Sequence, residues 1–84
     1  MNIRYHPIFR KNYQKLSDEI KRKAERKEDT FRKNPFGPAL RTHKLHGELS
    51  GLWSFSIDQK YRIIFEMTKD GIIFLDVGDH DIYQ

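Results

Sequence analysis

Four histidines, at positions 6, 43, 46 and 80, are the side chains best suited to moving a proton near neutral pH. His80 lies in Gly78-Asp79-His80-Asp81, past an apolar run that reads as a strand. A glycine and a strand end expose it there, and two flanking carboxylates favour its charged form. His43 and His46 stand as H-x-x-H. That spacing binds zinc on a helix, but in a strand the two side chains point to opposite faces. With no cysteine in the chain, neither a thiolate metal site nor a disulfide is possible. No metal or other cofactor is expected.

Arg62 sits among Tyr61, Ile63 and Ile64. An arginine held within a sheet suits a phosphate, because its planar fork donates several hydrogen bonds at once. The plainer reading is an ion pair with Asp58 or Glu66. Lys60 adds a second positive charge nearby, and Tyr83 offers a ring to stack on a base or a hydroxyl to donate a proton. The chain has no glycine-rich nucleotide loop, no G-x-S-x-G serine elbow and no evident carboxylate pair for glycoside chemistry.

These residues need elements to hold them. MNIRY (1–5) reads as a short strand ending at His6-Pro7, and Pro7 suits the first position of a helix. Phe9, Tyr13 and Leu16 place that helix near 7–15. Ser17 caps a second helix over about 18–33, with Asp18 and Glu19 in its first turn and Ile20, Ala24, Lys27 and Phe31 along one side. Asn34-Pro35-Phe36-Gly37-Pro38 ends it. Strands follow at 52–58, 60–67 and 72–78, with a shorter one within His43–Leu49.

The short connections imply an antiparallel meander. Odd positions, from Trp53, Phe55 and Ile57 through Tyr61, Ile63 and Phe65 to Ile73, Leu75 and Val77, form the expected core face. Pairing Ile57 with Tyr61 keeps them together and sets Ser56 opposite Arg62; a slip of one residue would bury Arg62. The even face is mixed in polarity and is expected to be open. The fold class is α+β: an N-terminal strand and helix hairpin packed on one face of a twisted antiparallel sheet.

The 84 residues allow a single domain spanning 1–84, with a thin core. There is no apolar run of membrane-spanning length and no recognisable leader, so a cytoplasmic protein without membrane attachment is expected. The charge is uneven. Residues 1–44 carry 13 Lys and Arg against 5 Asp and Glu, a balance of +8, while residues 45–84 carry 3 against 7, a balance of −4. A concentrated positive half favours a polyanion as partner.

The run L-x-G-x-L-S-G-L-W-S-F-S-I-D-x-K-Y-R-I-I-F, followed by F-L-D-V-G-D-H-D-I-Y, resembles the RelE/ParE toxin superfamily, and within it the YafQ- and RelE/StbE-like messenger RNA interferases. The resemblance implies a RelE-like fold and a type II toxin neutralised by a cognate antitoxin. It also implies a metal-independent endoribonuclease acting on mRNA, usually in the ribosomal A site. There the ribose 2′-hydroxyl attacks the adjacent phosphate, leaving a cyclic phosphate and a 5′-hydroxyl.

By the same resemblance Arg62 contacts phosphate and His80 is the general acid. His43 is the base or an orienting group, and Tyr83 is the terminal aromatic. Ser56, Lys60, Lys44 and Arg41 are the residues expected to contact RNA. Ser56 stands where YafQ-like members carry a histidine and YoeB-like members an arginine, and Lys60 where YafQ-like members carry an aspartate. The general base is therefore open. A ParE-like gyrase poison and a catalytically inactive antitoxin-binding relative are the alternatives. The basic first half is expected to receive an acidic antitoxin segment, extended or helical, which would complete or displace the tail near Tyr83.

Overall fold

A computed structural model of the chain describes residues 1–79 and Ile82. Strand β1 (Ile3–Tyr5) leads into helix α1 (Pro7–Gln14) and helix α2 (Asp18–Lys33). A 3-10 turn (Pro38–Leu40), strand β2 (His43–Lys44) and a second 3-10 turn (Gly47–Leu49) follow. Strands β3 (Trp53–Ser56), β4 (Arg62–Thr68) and β5 (Gly71–Gly78) complete the described elements. These strands form one sheet in the order β1-β5-β4-β3-β2.

Local chemistry explains the helix starts. Pro7 opens α1, and His6 caps it by accepting from the Ile8 N–H at 3.0 Å. Ser17 Oγ caps α2 by accepting from the Ile20 N–H at 3.2 Å. Each helix then buries an aromatic, Phe9 on α1 and Phe31 on α2. The Phe31 ring stacks on Phe55 at 4.7 Å and meets the Phe65 and Phe74 rings edge-on at 5.0 and 5.5 Å. All four are fully buried and make the centre of the core. Ring pairs of this geometry contribute about 0.5–1.5 kcal/mol each beyond area burial.

The expected register holds between β3 and β4: Ser56 pairs with Arg62, Phe55 with Ile63 and Trp53 with Phe65. Elsewhere four expectations need correction. β1 joins the edge of the sheet parallel to β5, so the sheet is mixed, not wholly antiparallel. A bulge breaks the odd parity in β5: Ile64 pairs with Asp76 but Phe65 pairs with Phe74, which leaves Leu75 as an extra residue. Ile72 and Phe74 consequently enter the core in place of Ile73 and Leu75, while Val77 beyond the bulge is buried as expected.

The third correction concerns the even face. It is not open at its centre, where Ser54, Ile64 and Ser56 are 0%, 4% and 6% exposed. The strand expected within His43–Leu49 is also cut short, because Gly47 and Gly51 adopt φ of +68° and +95° and turn the chain out of the sheet. Among the described residues no helix is long and apolar enough to cross a membrane.

Candidate functional site

Arg62 opens β4 between two neighbours, Ser56 on β3 and Gly78 at the end of β5. The turn before it is organised by Asp58. One carboxylate oxygen of Asp58, Oδ1, accepts from the Lys60 N–H at 2.8 Å and the Tyr61 N–H at 2.7 Å, as aspartate does in an Asx turn. The Ile57 N–H donates to the Tyr61 carbonyl at 2.9 Å and closes the loop.

Arg62 folds back on this turn. Its Nη1 donates to the Asp58 carbonyl at 2.5 Å and to the Tyr61 carbonyl at 3.1 Å. The plain expectation of an ion pair with Asp58 or Glu66 is thus replaced by two main-chain contacts. Among the described residues Arg62 forms no ion pair. A guanidinium carries five N–H donors. With Nη1 on two carbonyls, the three donors of the Nη2 and Nε edge have no partner among the described residues and keep the fork geometry that suits a phosphate.

The Asp58 carboxylate instead faces Lys23 of α2, with Oδ2 3.6 Å from Nζ. Burial pushes its pKa up, but the Tyr61 and Lys60 N–H groups and the Lys23 charge outweigh that, and it lies below the usual aspartate value.

Beside this turn a cleft of about 170 Å³ is lined by Lys27, Ala39, Arg41, Ser56, Asp58 and Gln59. It gathers two of the expected RNA contacts, Arg41 and Ser56, with cations from α2 and from the loop before β2. Arg41 is held in the left-handed region, φ 52°, at the end of the 3-10 turn. Its carbonyl lies 2.9 Å from Nδ1 of His43, which is exposed and pairs with Ser54 on the even face. Lys60 lies on the Asp58 turn, its ammonium 5.5 Å from the Tyr61 ring centre. Lys44 is not brought to this group: it pairs with Trp53 on the helix-covered face, its ammonium 5.4 Å from the indole centre. His80 and Tyr83 lie outside the described residues.

A second cleft, about 340 Å³, is larger but chemically different. Tyr5, Phe9, Arg10, Tyr13, Gln14, Glu25 and Glu28 line it. Burial, reinforced by Glu28 at Tyr5 and by Glu25 and Glu28 at Tyr13, raises both tyrosine pKa values. Two carboxylates and phenols held neutral make a poor phosphate site, so the smaller, cation-lined cleft is the candidate.

Two residues of the site were not singled out from sequence. Lys27 reads as part of the core-facing stripe of α2, yet it is half-buried and lines the cleft, its Nζ donating to the Ala39 carbonyl at 3.3 Å. A lysine inside an apolar stripe was the available signal. Asp58 acts through its backbone carbonyl and its turn, and residue type alone does not reveal either.

Comparisons with known proteins agree with this architecture. YafQ from E. coli BL21(DE3) superposes with a TM-score of 0.81 over 96% of this chain and 94% of that one, at 18% identity. A YoeB/ParE toxin from Agrobacterium tumefaciens gives 0.78 over 95% and 99%, also at 18% identity. The YoeB-YefM complex from Staphylococcus aureus gives 0.76 over 95% and 97%, at 19% identity. Identities this low establish the shared RelE-like fold. The curated proteins include no match to the sequence. Residues 7–81 match the family described as the YoeB-like toxin of bacterial type II toxin-antitoxin systems, and with nearly the whole chain matched, the protein belongs to that family.

Proposed function

We propose that this toxin is a metal-independent endoribonuclease that cuts mRNA, in the ribosomal A site, and is held in check by a cognate antitoxin. The observation that carries the reading is Arg62: a guanidinium anchored along one edge on main-chain carbonyls, opposite Ser56 and next to a cleft bearing Lys27 and Arg41. A phosphate seated on the Nη2–Nε edge gains charge as the ribose 2′-hydroxyl attacks it. A fixed cation stabilises that charge without having to reorganise.

In this reading His80 protonates the departing 5′-oxygen, and His43 takes or orients the 2′-hydroxyl proton. Tyr83 stacks on a base near the cut. Arg41, Ser56 and Lys60 hold the RNA backbone on either side of Arg62, and Lys44 adds charge farther along. Lys27 joins them from α2. The solved toxins named above fit the antitoxin partner, since the S. aureus YoeB is found with YefM. A positive balance of +8 over residues 1–44 favours an acidic antitoxin segment.

Induced expression followed by primer extension tests the reading. Cuts should map within codons of translated messages, and Arg62→Ala should lower their yield at least about 10²-fold. Gyrase-linked DNA breaks with intact messages would place the chain with ParE-like poisons instead. Intact messages and unimpaired growth would make it an inactive relative.

A further inference from the structure

We infer that Asp58 is a positioning residue for Arg62, holding the turn at 58–61 in the shape that aims two main-chain carbonyls at Nη1 and leaves the Nη2–Nε edge to the phosphate. The inference rests on the reading of Arg62 as the phosphate clamp.

Both anchors of Arg62 belong to the turn that Asp58 shapes. The Asp58 and Tyr61 carbonyls accept from Nη1 at 2.5 and 3.1 Å. The Tyr61 carbonyl also accepts from the Ile57 and Asp58 N–H groups, at 2.9 and 3.4 Å, so its direction depends on the closure of the loop. That closure depends on Asp58 Oδ1, which satisfies the N–H groups of Lys60 and Tyr61 together. Without the carboxylate two backbone donors lose their acceptor, the turn relaxes, and the carbonyls that grip Nη1 move. An arginine side chain is long and rotates freely unless held. Asp58 Oδ2 meanwhile pairs with Lys23, tying the turn to α2, and Asp58 itself lines the cleft beside Arg41 and Ser56.

The geometry separates this role from a charge role. An Asx turn needs an acceptor one carbon from Cα–Cβ, which asparagine supplies and glutamate does not. A general base would behave oppositely, surviving as glutamate and failing as asparagine.

The test measures kcat and KM on ribosome-bound message for Asp58→Ala, Asp58→Asn and Asp58→Glu, alone and with Arg62→Ala. Rotation of the Arg62 guanidinium is followed in parallel by 15N side-chain NMR of the free protein. Asp58→Ala should lower kcat on the order of 10²-fold, as misplacement of a reacting group by about 1 Å can. Asp58→Asn should recover most of that loss and Asp58→Glu little of it. On an Arg62→Ala background Asp58→Ala should add nothing, because the two act as one unit. Guanidinium rotation should be slow in the wild type and in Asp58→Asn, and fast in Asp58→Ala.

Additive losses, or better rescue by glutamate than by asparagine, would overturn the inference. Unchanged Arg62 rotation in Asp58→Ala would do the same. If Asp58→Ala fails to fold, the Asn and Glu variants decide. If the wild type cuts no message, the proposed activity fails, while the NMR comparison still decides whether Asp58 positions Arg62.

Discussion

Among the described residues the Arg62 guanidinium rests on carbonyl oxygens and not on a carboxylate, and in the proposed reading that choice of partner matters for function. A carboxylate would neutralise the charge, whereas two carbonyls fix the group and leave its full charge for a ligand. The carboxylate of Asp58 is turned the other way, toward Lys23. Its lowered pKa has a consequence for stability. A carboxylate whose folded pKa is depressed stabilises the fold above its unfolded pKa, near 4, and loses that contribution as pH falls through the folded value. Asp58→Asn should therefore flatten the stability–pH curve of urea unfolding below about pH 4 and leave the curve's shape unchanged above pH 5. The effect should be under about 1 kcal/mol, because the side chain is 25% exposed and screened. An unchanged slope below pH 4 would contradict the assignment.

Much at this scale was legible in the sequence. The pairing of Ser56 with Arg62 followed from the rule that a one-residue slip buries an arginine. What Arg62 touches was not legible, since its partners are main-chain atoms that residue type does not announce. Lys44 illustrates a related limit. It stands beside His43 in sequence, but successive strand residues face opposite ways, and it rests on Trp53 away from the cleft.

At the scale of elements, the two helices were legible almost to the residue because Pro7 and Ser17 are strong start signals. The bulge in β5 was not. IIFLDV is apolar at both parities, so alternation within it cannot show where one residue is extra. The end of β2 was missed for a similar reason, because the reversal depends on the positive φ of Gly47 and Gly51. α2 has a double duty. Its buried side anchors the core through Phe31, and its flank delivers Lys27 and Lys23 to the Asp58 turn. Phe31→Ala should cost about 3–5 kcal/mol by urea denaturation. In a domain of this size that loss approaches the whole stability. A cost below about 1 kcal/mol would show that the ring cluster is not the centre of the core.

The whole molecule combines a thin core with a lopsided charge. Its net charge is +4, but 13 of its 16 Lys and Arg residues fall in the half that builds the helices and the loop before β2. The sheet then pairs Arg62 with Ser56, which lines the cleft together with Lys27 and Arg41 of that basic half. Fold and family were visible in the ordered C-terminal motif, and the family match over residues 7–81 agrees with it. The cleft was not visible, because it is made by three segments that only the fold brings together. The most direct test of the account is cleavage of ribosome-bound message by the purified protein in EDTA, with the new ends identified. The account predicts cuts within codons that leave 2′,3′-cyclic phosphate and 5′-hydroxyl ends and that fall at least about 10²-fold in Arg62→Ala, as loss of a charge-stabilising donor does. Message left intact by folded wild-type protein, or cut equally well by Arg62→Ala, would contradict it.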